Sequence, residues 1–325
     1  MRIKKLLFAL VLLLFFGITF LKHRDIGELP LVAIANYGPH SSLAASVEGI
    51  KAELTRRGFI ENKTIAYEIS DVGFNLALIP QMVTKLRSKN PRVMIVISTP
   101  IAQFAKYAIK DLPLVFNAIT DPLEAGLLKE RDKSDGNMTG ASDGQNLKVL
   151  LNFAKQIIPN ATRVGVLYAT GEANDSALIK MLKQAARATN MQVFAVPVDE
   201  PRDVPIRMQV FHNKVDFIYV GTSGAIQPTL PAIITEAKKM MIPIFNVDST
   251  AVEKHQVLAS FGVDYSRVGA NAGQIVARLL NGENISSIQP QYPTINDHQG
   301  FISKQKLDDL KLSLPSNLTN IRVVE

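Results

Sequence analysis

The residues best suited to chemistry in this chain are two threonines and four acids at or near the ends of apolar runs. Thr99 follows VMIVI (93–97) and Ser98, and Thr222 follows FIYV (217–220) and Gly221. A helix is expected to start at each threonine. Its unpaired N–H groups and positive dipole end would hold an anion, with about 0.3–2 kcal/mol from the dipole alone. Asp121, Asp143, Glu172 and Asp248 supply acceptors for a cation. One zwitterion, such as an amino acid, would satisfy both sets. Ser98, Gln103, Asn174 and Ser223 neighbour them, and Asn36, His40, Thr120 and Ser249 hold comparable positions. Tyr37 and Tyr168 directly follow strands and offer a stacking face with a polar tip. A Ser, Thr or Asp at such a place serves equally as a helix N-cap, and for the two threonines the roles are compatible.

Catalytic constellations are missing. The chain has no Cys, which removes thiolate nucleophiles, disulfides and Cys-based metal sites. Neither G-x-x-x-x-G-K-[ST] nor G-x-G-x-x-G occurs, and Tyr37-Gly38-Pro39 stands where the latter would follow the first strand. GTSGA (221–225) approaches a nucleophile elbow but has Gly224 directly after Ser223 and Ala225 where the motif needs Gly. The five histidines lack the H-E-x-x-H spacing of a zinc site. A binding protein without cofactor or metal is expected, not an enzyme.

The elements that must position these residues alternate β-branched runs with amphipathic stretches, the signature of a parallel sheet. Strands are expected at 31–36, 64–69, 93–97 and 114–119, with helices at 41–57, 75–88 and from about 100. After Gly140 the rhythm restarts. Helices are expected at 146–158, 172–189, 204–212 and 226–240, and strands at 163–168, 192–198, 217–220 and 242–245. VMIVISTP (93–100) is echoed by DFIYVGTS (216–223), and PLVFNAITD (113–121) by PIFNVDS (243–249). Two echoes in the same order argue for a duplicated plan, two doubly wound three-layer α/β lobes. In such open sheets ligands bind beyond the carboxyl ends of the strands, where the candidate residues fall.

The formal charge of +7 is concentrated at the start. Arg2, Lys4, Lys5, Lys22 and Arg24 leave 31 basic against 29 acidic groups elsewhere, too even for a nucleic-acid stripe. A hydrophobic share of 47% with 20% charged residues is ordinary globular usage and excludes disorder. Basic residues followed by the uncharged 6–21 have the layout of an export signal. The run spans about 24 Å, short of the roughly 30 Å hydrocarbon core unless flanking lysines snorkel. Residues 1–25 are expected to be a signal peptide or an uncleaved anchor touching the membrane through 6–21.

From about Leu31 to Pro315 the chain resembles the substrate-binding proteins of ABC transporters, nearest the branch with tryptophan/tyrosine-type amino-acid binders. The resemblance rests on STPIAQ (98–103), PLVFNAITDPLEAG (113–126), GNMTGASD (136–143), RVGVLY (163–168) with EAN (172–174), PIFNVD (243–248), GVDY (262–265) and LNG (280–282). It implies a type I periplasmic-binding-protein fold whose chain crosses between lobes three times, near 140–144, 260–263 and 288–292. The first lobe would comprise 30–143 and 262–289, the second 144–261 and 290–325. The helix after Tyr265 would return to the first lobe. By position, Thr99, Asp121, Asp143, Glu172, Asn174 and Asp248 fall where such proteins hold their ligand. The family commonly reads Thr-Asp-Asn where this chain has Thr222-Ser223-Gly224, which removes an acid that could pair with an ammonium group. The resemblance implies that the protein works outside the cytoplasm, with a small polar ligand and separate ABC permease and ATPase subunits as partners. The alternatives are a ligand-sensing domain working with a separate signalling partner, and an enzyme on the same fold.

Overall fold

The computed structural model describes residues 29–316 and 321–325, so the signal or anchor expected over 1–25 lies outside the described residues. Among the described residues no helix is long and apolar enough to cross a membrane.

The first sheet is built from β1 (Leu31–Asn36), α1 (Ser41–Arg56), β2 (Ala66–Asp71), α2 (Ile79–Arg87), β3 (Val93–Ile97), α3 (Thr99–Ala108), β4 (Leu114–Ile119) and β5 (Met138–Ser142). Its strands run parallel in the order β2-β1-β3-β4-β5. β3, β4 and β5 are buried along their whole length, as helices on both faces require.

The second sheet takes up α4 (Leu147–Ile157), β6 (Arg163–Ala169), α5 (Ala173–Ala188), β7 (Gln192–Val198), α6 (Val204–Met208), β8 (Phe217–Val220), α7 (Leu230–Met240), β9 (Ile244–Asn246), α8 (Thr250–Glu253) and β10 (Ala259–Val263). After α9 (Tyr265–Leu280) the chain adds β11 (His298–Ser303), α10 (Lys304–Asp309) and β12 (Ile321–Val324). The strand order is β12-β11-β10-β9-β8-β6-β7, parallel except for the β10–β11 pair. Counted from its own first strand, β7-β6-β8-β9-β10 repeats the order of the first sheet. The echoed segments are β3 with β8 and β4 with β9, third and fourth strands in each copy. The fold is two α/β lobes of one plan.

Although α9 follows β10, it packs on the first lobe. Its Val268, Ala272, Ile275, Val276 and Ala277 join the core that holds β1 to β5. Gly49 in α1 and Gly269 in α9 let the two helices close to backbone contact. A Cβ on Gly269 would lie 2.0 Å from the carbonyl oxygen of Ser46, and one on Gly49 2.1 Å from that of Ser266.

Three stretches of chain join the lobes, and they are tied to each other. Gln291 N–H donates to the Gly140 carbonyl (2.8 Å), and Ser142 N–H to the Gln291 carbonyl (2.9 Å). Asp264 N–H donates to the Asp297 carbonyl (2.8 Å), and Val263 stands opposite His298 in the β10–β11 ladder. His298 touches all three. Its Nε2 accepts from Asn146 N–H at 3.1 Å, its Nδ1 lies 2.8 Å from the Thr294 carbonyl, and its ring stacks on Phe261.

Several boundaries differ from the sequence reading for local reasons. Thr64 closes a turn through the Ile60 amide, so β2 starts at Ala66. The stretch 226–240 opens as a 3-10 turn at Gln227–Thr229 and becomes α-helical at Leu230. Gly221, Gly224, Pro228 and Pro231 delay the regular turn.

Candidate functional site

In both sheets the strand order reverses between the first and third strands, and the crevice outside that point is where open α/β sheets receive ligands. These points are the ends of β1 and β3 in the first lobe and of β6 and β8 in the second, and they face each other. Two small chambers with a common wall lie between them, of about 20 and 40 Å³. Tyr37, Ser98, Ala118, Thr222 and Gly224 line both. Thr99, Glu172 and Asn174 belong to the smaller, and Asp143, Ser223, Gln227 and His40 to the larger.

The backbone around the chambers is strained. Ser98 has φ 79° and Ala118 φ 54°, both in the left-handed region that side chains avoid. Such residues cost on the order of 1–3 kcal/mol each and concentrate at functional sites. Ser98 turns the chain from β3 straight into α3, leaving Thr99 buried at the first helical position with Pro100 after it. Pro100 has no N–H, so the first turn of α3 presents the amides of Thr99 and Ile101.

Glu172 organises the opposite wall. Its Oε1 accepts from the Tyr37 hydroxyl at 3.0 Å, a contact between the lobes, and its Oε2 from Gly224 N–H (3.0 Å) and Asn174 Nδ2 (3.2 Å). Asn174 Nδ2 also faces Asp175 Oδ1 and the Thr222 carbonyl, which fixes the amide orientation and leaves its buried Oδ1 without a partner. Behind them Asp175, fully buried, accepts from Ala169 N–H and the Ser223 hydroxyl. Burial, and then the charge of Glu172, push its carboxyl up to about 7. Burial and Glu172 likewise push the Tyr37 phenol well above its usual range, so it stays a donor. Its ring meets Phe74 edge to face, with centroids 5.4 Å apart.

Asp248 also reaches across the gap. Its Oδ2 accepts from the hydroxyls of Ser41 (3.0 Å) and Ser42 (2.5 Å) at the start of α1, and its Oδ1 from Thr250 N–H (2.7 Å). Burial works against its charge, but the Ser42 hydroxyl and Thr250 outweigh it and hold the carboxyl below the usual range. Thr120 and Thr222 add a third inter-lobe contact, hydroxyl to hydroxyl at 2.9 Å. Asp143, at the first crossing, accepts from the Tyr265 hydroxyl at 2.9 Å, and burial pushes its carboxyl up to about 6.

Of the candidates read from the sequence, the structure gathers Tyr37, Ser98, Thr99, Asp143, Glu172, Asn174, Thr222 and Ser223 around the chambers, with Asp248 bridging the lobes beside them. Three stand elsewhere. Gln103 donates to the Ala125 carbonyl and pins a loop to α3. Asp121 caps the turn that follows it through the amides of Leu123 and Glu124 and lines a separate groove beside Arg131 and Tyr292. Tyr168 is half-buried at the end of β6 and is not among the lining residues. Thr222 lies in a loop and not at a helix start, where Ser223 accepts from Ile226 N–H instead. Ser42, Asp175 and Gln227 were not singled out. Asp175 lies in the first turn of α5, three residues after Glu172, and that spacing was the available signal. Ser42 and Gln227 carried none.

The family model described as ABC transporter substrate binding protein matches residues 31–322. The chain is 28% identical over 291 residues to the tyrosine-binding protein of Clostridioides difficile strain R20291, covering 90% of this chain and 84% of that one. Its structure is similar to that of the ABC domain in complex with L-Trp from Streptococcus pneumonia, with TM-score 0.83 and 24% identity over 89% of this chain and 97% of the other. It is also similar to the ligand-free, open structure of a substrate-binding protein with adhesive properties from Clostridium difficile. There the TM-score is 0.70 and the identity 28%, over 91% and 99% of the two chains.

Proposed function

The chain belongs to the ABC transporter substrate-binding protein family, and from that premise we propose that it captures a free amino acid in the gap between its lobes, outside the cytoplasm. The observation that carries this reading is the pairing in one chamber of an anion-suited helix start on one lobe with an acceptor cluster on the other. The carboxylate is seated against Thr99 and the first-turn amides of α3, and the ammonium against Glu172 and the free Oδ1 of Asn174. Each charged end thus belongs to a different lobe, and the ligand holds the closed form by bridging them. The names of the relatives, a tyrosine binder and a tryptophan complex, agree with a zwitterionic ligand.

The chambers are far too small for an amino acid, since one water already needs about 10–15 Å³ of such space and they have room for only a few. The lobes, 30–143 with 262–289 and 144–261 with 290–325, therefore open to admit it and close by rotation about the three crossings. The lower overlap with an open relative is what closed lobes of the same fold give. The closed form then docks a separate permease with its ATPase, and residues 1–25 direct export or anchor the protein to the membrane.

Calorimetric titration with a panel of amino acids, with nucleosides and sugars as controls, tests the reading. A micromolar dissociation constant, about 8 kcal/mol, is within reach of these contacts. Thr99→Val and Glu172→Gln should each weaken binding about tenfold or more, one charged hydrogen bond being worth roughly 1.5–3 kcal/mol. Unchanged affinity in both variants removes this site.

A further inference from the structure

A polar groove of about 310 Å³ lies beside the Ser42–Asp248 contact, and both lobes line it. That volume is within the roughly 300–1,000 Å³ of small-molecule sites. Ser41 and Ala45 of α1, with Asp264 and Ser266 at the start of α9, form the first-lobe wall. The second lobe supplies Asp248, Glu253 of α8 and a strip of its sheet.

Strand register sets the strip. Ser260 of β10 pairs with Phe301 of β11, and Phe301 with Arg322 of β12. Paired residues point to one face of a sheet, so these three form a row along the groove, with Arg322 two strands, about 10 Å, from Ser260. Ser260 is 1% exposed, and its hydroxyl, aimed into the groove by this register, has no partner among the described residues.

The charge of the lining is acidic. Asp248, Glu253 and Asp264 stand against one lining cation, Arg322. Arg267 comes within 4.0 Å of Asp264 but is drawn off by Asp297 at 3.3 Å. Asp248 and Asp264 each accept three hydrogen bonds within the protein, and a carboxylate offers about four such sites, so each keeps one. Glu253 is exposed at the rim. The first turns of α1 and α9 are capped by His40 and Asp264, so their amides do not call for an anion. Among the described residues no three acids or histidines gather closely enough to hold a metal ion. Acids spread along a groove suit separate N–H donors on a short chain.

We propose that this groove binds a small aliphatic diamine, one ammonium held by Asp264 on the first lobe and the other by Asp248 and Glu253 on the second. The methylenes lie on Phe301, and the Ser260 hydroxyl accepts from an ammonium. Arg322 at the outer end repels any further positive charge and so limits the length of the chain. An occupant held by both lobes favours the closed form, and it is linked to whatever the gap binds by the same factor in each direction.

Calorimetric titration of the intact chain with 1,4-diaminobutane at low salt tests this. The chain is net basic and has no general attraction for cations. Saturable binding that weakens with added salt is expected, with butylamine and 1,4-butanediol at least about tenfold weaker. Glu253→Gln removes the second-lobe charge at the exposed rim. Asp264→Asn removes the first-lobe charge and keeps the cap of α9, and each variant should weaken the diamine about threefold or more. Glu130→Gln, which does not line the groove, should leave it unchanged. No diamine binding, equal binding of butylamine, or the same loss in Glu130→Gln overturns the proposal. Loss in only one of the two groove variants places the diamine on a single lobe and overturns the bridging.

Discussion

Asp175 is the residue whose chemistry departs most from its surroundings. Its carboxyl is buried next to Glu172 and titrates near 7, against about 3.9 in an unfolded chain. A raised acid binds its proton more tightly in the folded state, so the native protein holds more protons than the unfolded chain between about pH 4 and pH 7. Stability therefore falls as pH rises through that window, by a few kcal/mol in all. Asp143 adds the same sign up to about pH 6. The melting temperature should drop between about pH 5 and pH 7.5, and Asp175→Asn should flatten the slope. Burial lowers the pKa of His40 and His298, which adds stability as pH rises towards about 6.5 and opposes this trend, so the variant is the test: a slope unchanged in Asp175→Asn contradicts the burial argument. None of this was legible from residue type. Glu172 could be read as a strand-end acid, but that Tyr37, 135 residues away, would donate to it depends on how two lobes face each other. Ser42 and Asp248, 206 residues apart, are the same case.

At the scale of elements, local pattern was enough wherever an element is buried on its own terms. The apolar runs of β3, β4 and β8 and the repeated segments placed third and fourth strands in both sheets. Where a boundary depends on backbone chemistry the pattern failed, as at Thr222, whose helix is delayed by two glycines and two prolines. The return of α9 to the first lobe was implied only by family resemblance, yet its cause is visible in side-chain size. Gly269 and Gly273 of α9 lie against Ser46, Ile50 and Glu53 of α1. Gly269→Ala would gain roughly 1 kcal/mol of helix propensity. It would also drive a methyl to within 2.0 Å of the Ser46 carbonyl oxygen, an atom that cannot move without displacing α1. Overpacking of this kind costs about 1–3 kcal/mol and more against backbone, so a net loss of at least about 1 kcal/mol is expected in urea denaturation. A stabilised Gly269→Ala would mean that the helices are not in backbone contact.

For the whole molecule, the contacts between lobes decide how much work the ligand must do. Tyr37 with Glu172, Ser41 and Ser42 with Asp248, Thr120 with Thr222, and Lys180 with Glu124 all join the lobes with no ligand atom involved. Contacts of this kind lower the free energy of the closed form and so raise the fraction of molecules already competent to hold a ligand. The buried Ser42–Asp248 pair should matter most, because the exposed Lys180–Glu124 pair is screened by solvent. Asp248 lines neither chamber, although its partner Ser42 lines the larger one, and it touches none of Thr99, Glu172 or Asn174, so its removal acts on closure first. In Asp248→Ala the ligand-free protein should scatter X-rays as a more extended particle than wild type. Saturating ligand should restore the compact form, and apparent affinity should fall by about tenfold or less, the closed fraction being the quantity lost. Unaltered scattering in the variant, with or without ligand, would mean that the Ser41, Ser42 and Asp248 contacts do not set the closed fraction and that the remaining inter-lobe contacts suffice.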